Sequence, residues 1–223
     1  MEIIQKDKDL IIINKPSGVP SQPDSSGDPD AMSLAGETLR ALGEDPTLFL
    51  VQRLDRVVGG LLVFARNKRS AAALSEIFAT EAGREYVAVT DSPIAEGEYT
   101  DYLRKNATLS KAERAAKDTK GAKEAILELT PLSAALTEKG EKQLSLVRLR
   151  TGRFHQIRAQ LSIHGAPISG DKKYGSRDGA PRSPALFCHK LSFSIFGREI
   201  LALAKPEPTE YPWSLFSDAL KRL

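Results

Sequence analysis

The sequence is poor in cysteine and histidine, and this scarcity argues against two kinds of site. The single cysteine, Cys188, cannot form an internal disulfide framework and suits a reducing compartment. The three histidines, His155, His164 and His189, have spacings of nine and twenty-five residues that match no compact metal-binding motif. We therefore expect no metal, although a metal-dependent hydrolase of a phosphorylated substrate stays open as a rival function.

Long apolar runs and a strong net charge are also missing. No run approaches the length of a membrane span, and the N-terminus lacks the basic and apolar regions of an export signal. The formal net charge is only +3, from 32 Lys and Arg against 29 Asp and Glu, which alone does not indicate a nucleic-acid partner. We expect a cytoplasmic monomer with no membrane partner. No break in composition divides the chain, so residues 1–223 are predicted to form a single domain.

Patterns of apolar residues and caps predict both strands and helices. Runs at residues 3–4 and 10–13 predict a hairpin, and residues 85–90, which include Tyr86, alternate as a strand does. Asn67 is a predicted cap for a helix that ends near residue 82. A second helix is predicted from a cap at Thr151 to residue 164.

Asp55 is the first candidate for catalysis. Two apolar runs of strand character flank a short segment in which this carboxylate lies between Arg53 and Arg56, and two glycines follow. An acid is thus presented at a break between buried elements. A structural Arg–Asp pair at a strand end is the competing interpretation, because ion pairs perturb carboxylates without catalysis.

A local excess of positive charge lies in the C-terminal half. Residues 150–190 hold eight Lys or Arg against two Asp, a net +6, and residues 101–125 hold seven Lys or Arg against four acids. Arg153, His155, Gln156 and Arg158 cluster at the predicted helix start, where a turn at Gly152 directs them to a shared cleft. A concentrated basic face beside a cleft is typical of nucleic-acid binding. We interpret residues 101–125 as a solvated insertion or hairpin that RNA orders.

Four blocks in a fixed order resemble the motifs of the RluA-type pseudouridine synthases. They are residues 10–18, LIIINKPSG; residues 53–66, RLDRVVGGLLVFAR; residues 151–158, TGRFHQIR; and residues 170–175, GDKKYG. Each block is common by itself, whereas the four in this order are specific and span nearly the whole chain.

The resemblance implies an α+β fold: a long mixed, mainly antiparallel β-sheet flanked by helices and loops, with an RNA-binding cleft. It implies a single catalytic domain that isomerises uridine to pseudouridine in rRNA or tRNA, without metal or organic cofactor. By position, Asp55 would be the catalytic carboxylate, Tyr86 would stack on the flipped uracil, and Arg158 would pair with Asp55. The predicted RNA-binding residues are Arg53, Arg56, Arg153, His155, Gln156, Lys172 and Lys173.

The sequence departs from the family pattern beside Asp55. Gln52 stands where the family usually has His, and Val58 and Gly59 replace Thr-Ser, so two hydroxyl groups are missing. We expect the chemistry to be retained and substrate positioning to differ. A non-catalytic RNA-binding or ribosome-assembly module on the same scaffold is the main alternative. No N-terminal S4-like RNA-binding domain is expected.

Overall fold

The computed structural model describes residues 1–181 and 183–223, so Arg182, one of the basic residues counted above, lies outside the described residues. The described residues form eleven strands: β1 Glu2–Lys6, β2 Leu10–Lys15, β3 Phe49–Leu50, β4 Gly59–Ala65, β5 Gly83–Thr90, β6 Gly97–Asn106, β7 Lys111–Arg114, β8 Lys123–Thr137, β9 Gly140–Leu149, β10 Leu186–Ile195 and β11 Arg198–Leu203. The helices are α1 Ala31–Ala41, α2 Lys68–Thr80, α3 Gln156–Ile163 and α4 Ser217–Lys221, with 3-10 turns at Lys172–Tyr174 and Trp213–Phe216.

The chain divides into two compact units, which we describe separately. The first comprises residues 1–84 and 187–206, and the second comprises residues 85–186 and 207–223. The prediction that residues 1–223 act as a single catalytic domain stays a prediction.

In the first unit β4 is the central strand. It pairs antiparallel with β2 and β3, and parallel with β10 through Gly59 and Gly60, while β1 and β11 extend β2 and β10 by antiparallel pairing. The apolar runs of residues 10–13 and 61–65 are fully buried. Burial on both faces explains why these strands are continuously apolar instead of alternating. The predicted hairpin of β1 and β2 is confirmed.

The helices of the first unit begin at polar caps. The carboxylate of Asp30 accepts the backbone N–H groups of Met32 and Ser33 at the start of α1, both at 3.0 Å. Asn67 accepts the N–H of Ser70 at 2.9 Å and so caps α2, as predicted. The apolar side of α2, with Leu74 buried, packs against β4.

The longest strands of the second unit pair antiparallel. β6 pairs with β7 and β8, and β8 pairs with β9 over most of its length. Residues 101–125 therefore contain the β6–β7 hairpin, and that half of the prediction is confirmed. The α+β class and the mainly antiparallel pairing are also confirmed. In the described part of the chain, no helix has the length and apolarity needed to cross a membrane.

The predicted start of the second helix was wrong. α3 begins at Gln156, and the residue before it, His155, has a left-handed backbone with φ of 52°. Thr151 does not cap this helix: its hydroxyl donates to Oε1 of Gln156 at 2.8 Å and accepts the N–H of Ile126 at 2.9 Å. The hydrogen bond from Ile126 in β8 thus engages the Thr151 hydroxyl, which the local sequence pattern predicted to cap the helix.

Candidate functional site

Asp55 lies in the segment 51–58 that connects β3 to β4. Leu54 and Val58 are buried on either side of it, and the N–H of Val58 donates to the carbonyl of Asp55 at 2.9 Å, which closes a tight turn. Asp55 itself is half-buried. Two apolar anchors and one turn bond therefore hold the carboxylate in a defined place at the head of a fully buried strand.

The segment after β2 braces this turn from the other side. The Ser21 hydroxyl donates to the carbonyl of Leu54 at 2.8 Å and accepts the Leu54 N–H at 3.1 Å. The N–H of Gly18 donates to the carbonyl of Arg56 at 2.8 Å, and the Ser17 hydroxyl donates to that of Val57 at 2.7 Å. Two sequence motifs forty residues apart thus form one rigid loop pair in which the backbone polar groups are paired.

Lys15 supports the same loop pair from within. Its side chain is fully buried, and its Nζ donates to the carbonyls of Pro16 at 3.0 Å, Val19 at 2.8 Å and Arg56 at 3.3 Å. Burial lowers the pKa of Lys15 to about 8, against the opposing charge of Asp55. Sequence reasoning assigned Lys15 no role, although a lysine that ends an apolar strand and precedes proline was a usable signal.

Arg56, a predicted RNA-binding residue, already has partners in the first unit. Its guanidinium donates to the carbonyl of Gly18 at 3.0 Å and to the hydroxyl of Ser26 at 3.1 Å. It also pairs with the carboxylate of Asp28, and that of Asp24 lies 3.9 Å away. These groups are exposed, so RNA phosphates can compete with the acids for the guanidinium. Arg53 is exposed.

The two glycines after Val58 have different reasons to be glycine. Gly60 has φ of 111°, and a β-carbon there would lie 2.4 Å from the carbonyl oxygen of Cys188, so the parallel pairing of β4 with β10 requires glycine. A β-carbon at Gly59 would lie 3.2 Å from the ring of Phe187. A larger residue at position 59 would therefore need the Phe187 ring to shift by a few tenths of an ångström.

In the second unit, Tyr86 lies on β5 and is 6% exposed. Arg158, on α3, is also buried and holds Asp171 in a bidentate pair, with Nε to Oδ2 at 2.7 Å and Nη2 to Oδ1 at 2.9 Å. The pair fixes the loop after α3 to the helix. The stacking of Tyr86 on uracil and the pairing of Arg158 with Asp55 stay predictions.

His155 is held as a neutral imidazole. The hydroxyl of Tyr174 accepts the N–H of Ala112 at 2.7 Å and lies 2.9 Å from Nδ1 of His155. If the hydroxyl donates its own hydrogen to Nδ1, the histidine hydrogen is on Nε2. Burial, together with the charges of Arg158 and Lys173, lowers the pKa of His155 to about 3.

Gln156, which the resemblance assigned to RNA, is buried and braces its own motif. Its Oε1 accepts the Thr151 hydroxyl and the N–H of Arg153 at 2.9 Å, and its Nε2 donates to the carbonyl of Ile126 at 3.0 Å. In this position the amide is used within the protein. Arg153 remains partly exposed, with its Nε bound to the carbonyl of Glu124 at 2.7 Å.

A basic and aromatic cluster surrounds the start of α3. The rings of Phe154 and His155 stack with centroids 3.8 Å apart, and the ammonium of Lys105 lies 4.7 Å from the Phe154 centroid. Lys111 lies 4.9 Å from the ring of Tyr174. The other cations of this cluster are Arg153, Lys172 and Lys173, and Lys173 also binds the carbonyl of Ser110 in the β6–β7 turn. Sequence reasoning had counted Lys105 and Lys111 only as part of the charged insertion.

Metal ligation finds no support in the geometry of the described residues: among residues 1–181 and 183–223, no three His, Cys, Asp or Glu side chains come together. His164 instead binds the buried carboxylate of Asp101 at 2.9 Å, and His189 binds the carbonyl of Ala204 at 2.6 Å.

Comparison with protein families places most of the chain in one family model. The model described as RNA pseudouridylate synthase matches residues 9–163. A ribosomal large subunit pseudouridine synthase C of Rickettsia felis is 34% identical over 212 residues, which are 91% of this chain and 67% of that protein. A tRNA pseudouridine synthase C of Haemophilus ducreyi is 33% identical over 183 residues, 78% of this chain and 74% of that protein.

Solved structures show the same fold. Human RNA pseudouridylate synthase domain containing 4 superposes with a TM-score of 0.78 at 21% identity, covering 99% of this chain and 93% of that one. Human RNA pseudouridylate synthase domain containing 1 gives a TM-score of 0.74 at 23% identity, covering 95% and 85%. The fold predicted from the resemblance is confirmed.

Proposed function

This chain belongs to the RNA pseudouridylate synthase family, and we propose that it isomerises uridines of rRNA or tRNA to pseudouridine with Asp55 as the catalytic carboxylate. The observation that carries the proposal is the braced segment of residues 51–58, which presents a half-buried carboxylate between two buried anchors. Relatives named for the ribosomal large subunit and for tRNA support the two substrate classes.

The reaction is an isomerisation, so its atoms balance without a co-reactant. The bond from the ribose to N1 of uracil breaks, the base rotates, and a bond from the ribose to C5 forms; the hydrogen on C5 leaves as a proton and N1 takes up a proton from water. Asp55 would attack the base or the sugar, or abstract a sugar proton. No metal or organic cofactor is needed for any of these branches.

The charges around Asp55 suit this role. The buried ammonium of Lys15 and the carboxylate of Asp55 attract each other, which favours an ionised acid in a partly desolvated loop. The three carbonyls that Lys15 binds fix the ammonium in place, so this attraction also helps to hold the loop. A positioned carboxylate is what covalent or acid–base chemistry at a nucleotide requires.

The remaining predicted residues would bind and open the RNA. Tyr86 would stack on the extruded uracil, a contact of about 1–3 kcal/mol for a base on an aromatic ring, and Arg53 would help to hold the opened RNA. The exposed cations, Arg56, Arg153, Lys172 and Lys173, would neutralise phosphates. His155 would offer Nε2–H as a donor from a neutral ring.

Site mapping tests the proposal. Purified wild type and Asp55→Asn are incubated with total RNA from a strain that lacks the protein, and pseudouridine is mapped by its chemical reactivity. We expect new sites with the wild type, none with the variant, and equal RNA binding by both. If the wild type binds RNA and creates no site, the protein is a non-catalytic RNA-binding module. The metal-dependent hydrolase predicts bound metal and chelator-sensitive activity, so unchanged activity in chelator removes it.

A further inference from the structure

The amide of Gln52 is a buried donor without an acceptor. Gln52 is half-buried in the segment that holds Asp55, three residues before it, and its Nε2 is enclosed by protein with no hydrogen-bond partner among the described residues. Two other buried polar atoms also make no hydrogen bond among the described residues, Arg84 Nε and Gln160 Oε1, whereas Asp101 Oδ1 makes none but lies 3.3 Å from Nε of Arg114 in an ion pair. Of these atoms, only the Gln52 amide belongs to the segment 51–58 that holds Asp55.

Other buried glutamines of this chain have satisfied donors, which makes Gln52 unusual within its own protein. The Nε2 of Gln143 donates to the carbonyl of Ile94 and to the hydroxyl of Ser145, both at 2.9 Å. The Nε2 of Gln156 donates to a backbone carbonyl at 3.0 Å. A buried donor with no partner costs stability that an apolar side chain of similar size does not. An unpaired donor that lowers stability at a candidate active site indicates that a group outside the chain accepts its hydrogen bond.

Resting on the proposed function, we propose that Gln52 is a substrate-positioning residue whose amide donates to an oxygen of the target nucleotide. Because the side chain is only half-buried, rotation of its terminal torsions can bring the amide to the RNA. The amide breaks no protein hydrogen bond when it turns, since it makes none through Nε2 in the free protein. The full free energy of the new hydrogen bond is therefore available to position the nucleotide over Asp55.

The chemistry of the amide suits a donor that positions a substrate. A Gln amide carries two hydrogens on one nitrogen and needs no particular protonation state, whereas the imidazole of a His depends on pH and tautomer. At the junction of the same segment with β4, Val58 and Gly59 have no polar side chain. Gln52 supplies a donor to that segment.

A pair of leucine variants separates RNA positioning from fold stability. In Gln52→Leu we expect unchanged or higher resistance to urea, because an unpaired donor is removed, together with an increase of about tenfold in KM for RNA and little change in kcat. In the matched control Gln143→Leu we expect lower resistance to urea, because three paired groups lose their partner. Gln52→His, which restores a donor, should recover much of the lost affinity, and Gln52→Glu, which cannot donate, should not.

Two results would overturn the proposal. One is a wild-type KM and RNA affinity in Gln52→Leu. The other is a loss of urea resistance in Gln52→Leu as large as in the control, which would mean that the amide is paired within the protein. RNA affinity is also measured by filter binding, so the role of Gln52 is tested even if the wild type makes no pseudouridine and the proposed function fails.

The acceptor oxygen is identified with modified RNA. With a 2′-deoxy nucleotide at the mapped site, a ribose acceptor predicts that the wild type falls to the affinity of Gln52→Leu. A base or phosphate acceptor predicts that the tenfold difference between the two proteins persists. If neither RNA distinguishes the wild type from Gln52→Leu, the positioning role is refuted.

Discussion

Replacing Lys15 by Met tests whether a buried charge supports the Asp55 loop. Methionine keeps the length of the side chain and removes the ammonium that binds three carbonyls. The pKa of Lys15 is lowered from 10.5 to about 8. Folding therefore disfavours the charged form relative to the neutral form by roughly 3 kcal/mol. The variant loses three hydrogen bonds of about 1–1.5 kcal/mol each, which lowers the unfolding free energy, and it no longer buries a charge, which raises it. The two effects oppose each other, so the net change in the unfolding free energy at pH 7 is small.

The pH dependence of the unfolding free energy separates the wild type from Lys15→Met, although their values at pH 7 are similar. Below about pH 8, Lys15 carries its proton in both the folded and the unfolded protein. Between about pH 8 and 10.5 the folded protein has released a proton that the unfolded chain still holds, so the unfolding free energy rises with pH. The rise is at most about 1.4 kcal/mol per pH unit, and Lys15→Met lacks it.

Urea unfolding of both proteins at pH 7, 8, 9 and 9.5 measures this difference. We expect the wild type to gain roughly 2 kcal/mol relative to Lys15→Met between pH 8 and 9.5. In an Asp55→Asn background the gain should begin at a lower pH, because the charge that opposes deprotonation is gone. We expect the unfolding free energy of the wild type, minus that of Lys15→Met, to rise with pH. A value that stays constant or falls would refute the burial of a charged Lys15.

Two further predictions concern the second unit. The imidazole of His155 should stay neutral, so its NMR shifts should not titrate between pH 8 and 5; a midpoint near 6.5 would contradict the burial. Because the unfolded chain takes up a proton near pH 6.5 and folded His155 only near 3, its contribution to stability is complete above pH 6.5 and is lost as the pH falls towards 3. Asp171→Asn should lower the unfolding free energy by about 3–5 kcal/mol in urea, because the buried guanidinium of Arg158 loses its carboxylate; a loss below about 1 kcal/mol would show that the pair is dispensable.

The sequence pattern correctly predicted the secondary-structure elements that depend only on residues close together in the chain. The β1–β2 hairpin follows from two apolar runs, and α2 follows from Asn67. The start of α3 was mispredicted because the Thr151 hydroxyl bonds to a strand twenty-five residues earlier. A contact of that range leaves no trace in the periodicity of residues 151–164.

The candidate site divides in the same way. Residue type and motif order were enough to select Asp55 and three of the cations near α3, which are Arg153, Lys172 and Lys173. The burial of Lys15 was not, because it depends on three carbonyls that meet only when the loops after β2 and β3 fold together. The pairing of Gly59 with the ring of Phe187 was also hidden, since it needs the parallel register of two strands more than a hundred residues apart.

Tritium release tests the role of Asp55 most directly. In RNA labelled with tritium at C5 of uridine, each conversion to pseudouridine releases the label to water, because C5 becomes the carbon bound to the ribose. The account predicts release by the wild type, release at least about 100-fold slower by Asp55→Asn, and equal RNA binding by both proteins. Release by Asp55→Asn at the wild-type rate would contradict the assignment of Asp55 as the catalytic carboxylate.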